Sequence, residues 1–290
     1  RAYALWRELE AEAKPASGVD RRRRPLLTIT GGLNVGPPNG ELVSGAVASA
    51  RQHDLPYEHL DAASVTDRFP GFRLPDDLAA VFEPNAGILD PAACNAAHLS
   101  RAGQHGAELH HDEPVDHWSV DGMGVRVETA KETYRADRLI IAAGPWAGRV
   151  LAELSLPLDV WRVYNVYFQP TRPEPFEPGC CPVYVLELPE GIYYGFPADP
   201  VDGLKAGRHD VGVPCTPETA RREVTDAEVD ALRSVLDRYL PGASGDVLRT
   251  LTCLYTLTPD RHFVVDRHPE HSQVAYACGF SGHGFKFASV

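Results

Sequence analysis

No apolar stretch in this 290-residue sequence approaches the roughly 18 uninterrupted residues that a membrane-spanning helix needs, and none has the layout of a signal peptide. These absences lead us to expect a soluble, cytoplasmic protein without a membrane partner. Net positive charge is also lacking. The formal charge is −12, which speaks against the basic face that a nucleic-acid backbone demands. The one basic run, Arg21 to Arg24, sits between Gly18 and Pro25 and reads as a solvated loop. Six cysteines (Cys94, Cys180, Cys181, Cys215, Cys253, Cys278) form no C-x-x-C, and adjacent Cys180 and Cys181 are poorly placed to bridge, so reduced thiols fit better than a disulfide framework. There is no G-x-S-x-G elbow, no G-x-G-x-x-G cradle and no internal repeat.

What is present is ordinary for a globular chain. Hydrophobic residues make up 43% and charged residues 23%, enough to bury a sizeable core. The length suggests two domains, interleaved in sequence. The chain opens at Arg1 inside a helical pattern and stops at Val290 just after a glycine-rich turn, which reads as a fragment.

Leu5, Trp6 and Leu9 recur at helical spacing, predicting an amphipathic helix over 2–13 that ends before Pro15. Residues 26–30 read as a strand, the glycine-rich 31–36 as a turn, and 44–53 as a short helix. Pro70, Gly71, Pro75 and Pro84 make 68–85 mostly loop around a candidate strand at 79–83. A helix with proline in its first turn is expected over 91–106, then strands at 108–110 and 124–129. Residues 137–144 are the clearest buried strand, apolar on both faces, with Trp146 just beyond Gly144. In an open α/β sheet ligands bind at such strand ends, although a core strand ending in a plain turn has the same pattern. From Val160 the texture becomes β-rich, with strands at 161–168, 183–188, 192–196 and 205–213. One helix over 226–239 places Val229, Leu232, Val235 and Leu236 on one face and stops at Pro241-Gly242. This region looks like a sheet with helices on one side.

Three places carry candidate chemistry. In Gly279-Phe280-Ser281-Gly282-His283-Gly284-Phe285-Lys286, three glycines let the backbone approach a ligand closely, beside the titratable His283 and Lys286. The segment 261–271 holds three His and two acids, but Pro269 breaks the strand geometry that would align His262, Asp266 and His268, and His271 falls beyond it, so metal coordination is disfavoured. A Cys253–His283–acid hydrolase can be assembled on paper, with nothing in the spacing to join its members.

Several segments decide between these readings: Gly191-Ile192-Tyr193-Tyr194-Gly195-Phe196-Pro197, Gly203-Leu204-Lys205-Ala206-Gly207-Arg208-His209, Thr252-Cys253-Leu254-Tyr255-Thr256, His262-Phe263-Val264-Val265-Asp266-Arg267-His268-Pro269, and residues 279–287. In this order they resemble the monomeric sarcosine oxidases and wider N-methyl amino acid oxidases, flavoenzymes of the D-amino acid oxidase structural class. The resemblance runs from Leu5-Trp6 across essentially the whole chain. It implies an α/β fold in which a truncated, Rossmann-like FAD-binding domain (1–19, 86–157 and 261–290) is interleaved with an α+β substrate domain on a mixed sheet (20–85 and 158–260).

The resemblance also implies roles. Cys253 would bind FAD covalently, through a thioether at the flavin 8α-methyl carbon. Lys205 would promote reaction of reduced flavin with O2, His209 would belong to the same site, and Tyr194, Phe196 and Tyr255 would line the substrate pocket. Ala143, Gly144 and Trp146 resemble a second flavin-contact loop, with Pro145 where alanine is common. Gly282, Gly284, Phe285 and Lys286 would contact the flavin, as a loop entering a helix, with His283 and Lys286 on the substrate side. The implied reaction oxidises a secondary amine such as sarcosine to an imine, which water hydrolyses to amine and aldehyde, while O2 becomes H2O2. N-methyltryptophan and cyclic imino acids are the other substrates implied. The enzyme would be a monomer whose partners are a small amine and O2, without a metal. The family's G-x-G-x-x-G turn and a helix after Phe287 lie outside the sequence, so this piece alone is expected to bind FAD poorly and to be inactive. The opposing reading is a non-catalytic scaffold, against which stands the joint presence of Cys253, Lys205 and Lys286.

Overall fold

The computed structural model describes residues 1–13 and 25–290. Three expectations, the Pro15 helix stop, the Arg21–Arg24 loop and the boundary at 19/20, fall outside the described residues. In chain order the elements begin with α1 (Ala2–Glu12), β1 (Leu27–Ile29), β2 (Gly32–Gly36), α2 (Glu41–Gln52), β3 (Glu58–Asp61), α3 (Ala62–Arg68), β4 (Ala79–Glu83), β5 (Gly87–Leu89) and α4 (Pro91–Gln104). There follow β6 (Val115–Asp121), β7 (Gly124–Thr129), β8 (Thr133–Ala136), β9 (Leu139–Ile141), α5 (Ala147–Val150), β10 (Asp159–Phe168), β11 (Val183–Leu188), β12 (Gly191–Asp199) and β13 (Gly203–Arg208). The last are β14 (Val213–Pro214), α6 (Asp226–Tyr239), β15 (Val247–Leu257), β16 (Val264–Arg267) and β17 (Val274–Cys278).

A mixed nine-stranded sheet organises the molecule, in the order β14-β10-β13-β12-β11-β2-β4-β3, with β15 also paired to β10. Its β2–β11 pair is parallel. Its largest core lies under one face, where Val166, Phe168, Leu204 and Ala206 meet Leu232, Val235, Leu236 and Tyr239 of α6. Full burial of each such aliphatic side chain is worth about 1.5–3 kcal/mol. A capping box starts α6: the Thr225 side chain accepts from the Glu228 N–H, and the Glu228 carboxylate accepts from the Thr225 N–H. Glu228 also pairs at 2.6 Å with Arg162, whose side chain is 2% exposed. The guanidinium further donates to the Arg221 and Glu223 carbonyls, so this buried charge is fully engaged.

Two smaller cores flank the sheet. In one, Trp6 and Leu9 of α1 pack with Leu26, Leu27, Cys94 and Ala97 beside the β1–β5 pair. In the other, Val125, Ile141, Ala147, Val274 and Tyr276 join the β6-β7-β8 meander to the β16-β17-β9 sheet, in which β9 runs parallel to β17.

The structure corrects several expectations. Residues 32–36 form strand β2 rather than a turn, because a Cβ on Gly32 would lie 2.6 Å from the Ala86 Cβ and glycine is there for close packing. The expected buried strand at 137–144 contracts to β9, and Ile140 is 76% exposed. Residues 108–110 are irregular. The strand expected over 205–213 breaks after Arg208 and resumes as β14. Helix α2 begins at Glu41, ahead of the expected start.

Candidate active site

The face of the large sheet opposite α6 is built by β12, β13, β10 and β15. Directly opposed residues in antiparallel pairs share a face. One row therefore runs Phe196, Lys205, Tyr167, Arg249, and the next Tyr194, Gly207, Asn165, Leu251. Further along β10 and β15 come the pairs Val163–Cys253 and Trp161–Tyr255. The alternation on β10 thus sends Trp161, Val163, Asn165 and Tyr167 to this face and Val166 and Phe168 to the core.

Lys205 stands among aromatics, its ammonium 4.8 Å from the Phe196 ring centroid and 6.0 Å from those of Tyr167 and Tyr194. Burial lowers its pKa from the ordinary lysine value, and among the described residues no carboxylate pairs with it. The Cys253 sulfur accepts a hydrogen bond from Asn165 Nδ2 at 3.7 Å. The Tyr194 hydroxyl donates to Asn165 Oδ1, and burial keeps that phenol protonated far above its usual range. His209, just past β13, has Nδ1 3.4 Å from the Tyr255 hydroxyl. Burial first, then the positive charges of His283, Arg261 and Lys286, lower its pKa and favour neutral imidazole.

The glycine-rich segment closes one end of this face. The Ser281 N–H donates to the Thr256 carbonyl at 2.9 Å, tying the segment to β15. Gly282 has φ +81°, and a Cβ there would lie 2.5 Å from the Tyr255 ring, so glycine lets the backbone lie directly on that aromatic. Arg261 lies over the Trp161 ring, and its carbonyl is 3.3 Å from His283 Nε2. Burial lowers the His283 pKa. Beyond Gly284 the chain makes a 3-10 turn, Phe285–Phe287. Phe285 stacks on Trp6 at 5.8 Å, and the Trp6 indole donates to the Lys286 carbonyl at 3.1 Å. The Lys286 residue is exposed, yet the surrounding protein desolvates its ammonium and lowers its pKa.

One surface thus gathers Tyr194, Phe196, Lys205, Cys253 and Tyr255, with His209, Gly282 and His283 at its end. Ala143, Gly144 and Trp146 follow β9, where Gly144 has φ +53°. Trp146 donates its indole N–H to Glu218 at 2.9 Å. His283 is not joined to Cys253, whose polar neighbour is Asn165. In the 261–271 segment His268 uses both ring nitrogens, with Glu153 at 3.2 Å and the Glu270 N–H at 3.2 Å. Sequence reasoning missed Asn165, Tyr167, Trp161 and Arg261. The alternation over 161–168 was the available signal, since it puts Trp161, Asn165 and Tyr167 on one face with a lone amide among apolar residues.

The arrangement suits a large planar ring system. Tyr194 and Asn165 close over Gly207, while a half-buried thiol and an ammonium that has no carboxylate partner among the described residues stand on the same face. A family model described as FAD dependent oxidoreductase matches residues 1–290. The chain belongs to this family of FAD-dependent oxidoreductases. It is 42% identical over 295 residues to a monomeric sarcosine oxidase of Streptomyces avermitilis, covering 100% of this chain and 74% of that protein. It is 32% identical over 293 residues to an N-methyl-L-tryptophan oxidase of Yersinia pestis, covering 100% of this chain and 75% of the relative. Among solved structures it resembles NikD, described as an unusual amino acid oxidase essential for nikkomycin biosynthesis, with TM-score 0.82 and 25% identity over 99% of this chain and 76% of that one. Membership makes the chain an FAD-dependent oxidoreductase with a mixed α/β fold, and the scaffold reading has no support. No helix among the described residues is long and apolar enough to cross a membrane.

Proposed function

We propose that the protein oxidises a secondary N-methyl amino acid such as sarcosine to an imine, which water hydrolyses, with O2 reduced to H2O2. The observation that carries this reading is the face on which Cys253 and Lys205 stand among Tyr167, Tyr194, Phe196 and Tyr255. When bound, FAD supplies the acceptor for the hydride equivalent and the route for electrons to O2.

The chain's own residues do the rest. Cys253 holds the flavin through a thioether, and Ala143, Gly144, Trp146, Gly282, Gly284, Phe285 and Lys286 make up the remaining cofactor contacts. The Lys205 ammonium supplies positive charge where O2 gains electrons. Tyr194, Phe196 and Tyr255 wall the pocket and exclude water, and their faces suit an amine substituent. Lys286 and His283 hold the substrate carboxylate, and neutral His209 accepts or donates a hydrogen bond through Tyr255. Among the described residues, 1–13, 86–157 and 261–290 form the FAD-binding unit, and 25–85 and 158–260 the substrate unit, in a cytoplasmic monomer.

The test is acid precipitation of the flavin-loaded full-length protein. Flavin should stay with the wild-type pellet and be released in Cys253→Ser, while sarcosine turnover generates H2O2. Flavin released from both proteins refutes covalent attachment, and loaded protein inert toward sarcosine and N-methyltryptophan alike refutes the substrate class.

A further inference from the structure

Asn165 is a polar side chain in the middle of β10, and it is 2% exposed. Burying an amide is costly unless its donor and acceptor are used, and here both are used by site residues. Its Oδ1 accepts from the Tyr194 hydroxyl on β12, and its Nδ2 donates to Cys253 Sγ on β15 at 3.7 Å. The link to Tyr194 spans an intervening strand. It is possible because β13 places Gly207 between them: a Cβ there would lie 2.8 Å from Asn165 Oδ1 and 2.8 Å from the Tyr194 hydroxyl. Leucine at 165 would keep the branched shape with neither hydrogen bond, so the amide is there for its polarity.

We propose that Asn165 is a positioning residue that fixes the Cys253 sulfur and the Tyr194 phenol in one arrangement, linking flavin attachment to the substrate wall. The inference rests on the reading of Cys253 as the attachment point. Attachment forms one S–C bond and breaks the S–H bond and one C–H bond of the flavin methyl group. Two electrons pass through the flavin to O2, which leaves with the two hydrogens as H2O2. A donor aimed at the sulfur holds that sulfur in one direction. The same amide fixes Tyr194, whose ring stands edge-on to Phe196 at 6.2 Å and to His209 at 6.4 Å. A shift of the amide therefore reaches the pocket wall as well as the thiol.

Three variants of the flavin-loaded protein decide the matter: Asn165→Leu, Asn165→Asp and Cys253→Ser. Each is read for flavin retained in the acid pellet, KM for sarcosine and thermal unfolding. The rate at which iodoacetamide alkylates Cys253 is read in flavin-free wild type and the two Asn165 variants by peptide mass. Asn165→Leu loses both hydrogen bonds, so alkylation should slow about threefold, KM should rise about threefold, and the covalent fraction should fall. Asn165→Asp keeps the acceptor for Tyr194 and loses the donor to sulfur. It should keep KM near wild type while alkylation and covalent fraction drop, a split that a purely structural role does not produce. Wild-type behaviour of Asn165→Leu while Cys253→Ser releases its flavin overturns the inference and leaves the Cys253 reading intact. Parallel loss of every readout in both Asn165 variants, tracking their thermal unfolding, also overturns it. Flavin released even from wild type sinks the Cys253 reading instead, and the alkylation and KM split still decide whether Asn165 positions both groups.

Discussion

Gly207→Ala is the smallest change that reaches the proposed site. The backbone at this position is ordinary strand, so alanine brings no conformational strain and the whole effect is steric. A methyl group would meet Asn165 Oδ1, the Tyr194 ring and its hydroxyl, all at 2.8 Å, where ordinary contact begins at 3.4 Å. Something must therefore move by about 0.6 Å, and the neighbours on either side are held by the sheet and by their mutual hydrogen bond. Overpacking of this kind costs about 1–3 kcal/mol, and the displaced Tyr194 should raise KM for the amine severalfold. Urea unfolding followed by circular dichroism, together with steady-state kinetics, reads both effects. Gly45→Ala is the matched control, because it lies in α2 with nothing within 4 Å of the added methyl and should stabilise by about 0.5–1 kcal/mol. A Gly207→Ala protein with wild-type stability and KM, alongside a stabilised control, would show that the notch has no steric role.

Two further outcomes follow from the electrostatics. Arg162→Met takes from Glu228 its 2.6 Å partner, leaving it Arg221 at 3.2 Å, and leaves the Arg221 and Glu223 carbonyls without their donor; urea unfolding should show a loss of about 2 kcal/mol, and a loss below about 0.5 kcal/mol refutes the claim that this pair anchors α6. For Lys205 the sign is set by its lowered pKa: between that value and the ordinary 10.5, the unfolded chain carries a proton that the folded chain lacks, so stability rises with pH. Lys205→Met removes this dependence, and its stability advantage over flavin-free wild type should be largest below the window and shrink as the pH approaches 10.5; an advantage independent of pH would mean that the ammonium is not desolvated.

Helix α6 was legible residue by residue, because its apolar stripe sits at helical spacing and local signals mark both ends. Strands β4, β7 and β11 were equally plain, since their patterns are bounded by turn residues. Strand β2 was not, because its glycines look like a turn locally and their reasons are the approach of Ala86 to Gly32 and of Glu187 to Gly36, contacts made only after folding. The segment at 137–144 failed for the opposite reason: apolar residues suggested full burial, yet Ile140 is exposed. On the candidate face, Lys205, Tyr194 and Cys253 were singled out through the family resemblance of their segments. Asn165 was not, because its meaning depends on an absent side chain on the next strand, and cross-strand register is not written in either segment alone.

The alternation along β10 has a consequence for how this surface can change over generations. Tyr164, Val166 and Phe168 pack on the hydrophobic interior, whereas Trp161, Asn165 and Tyr167 face the candidate site, on the opposite side of the same backbone. Point substitutions at the second set can retune ligand choice while the interior stays intact. A single inserted or deleted residue has no such freedom, because it would exchange the two sets at once. Diversification of this strand should therefore proceed by replacement at alternate positions and at constant length.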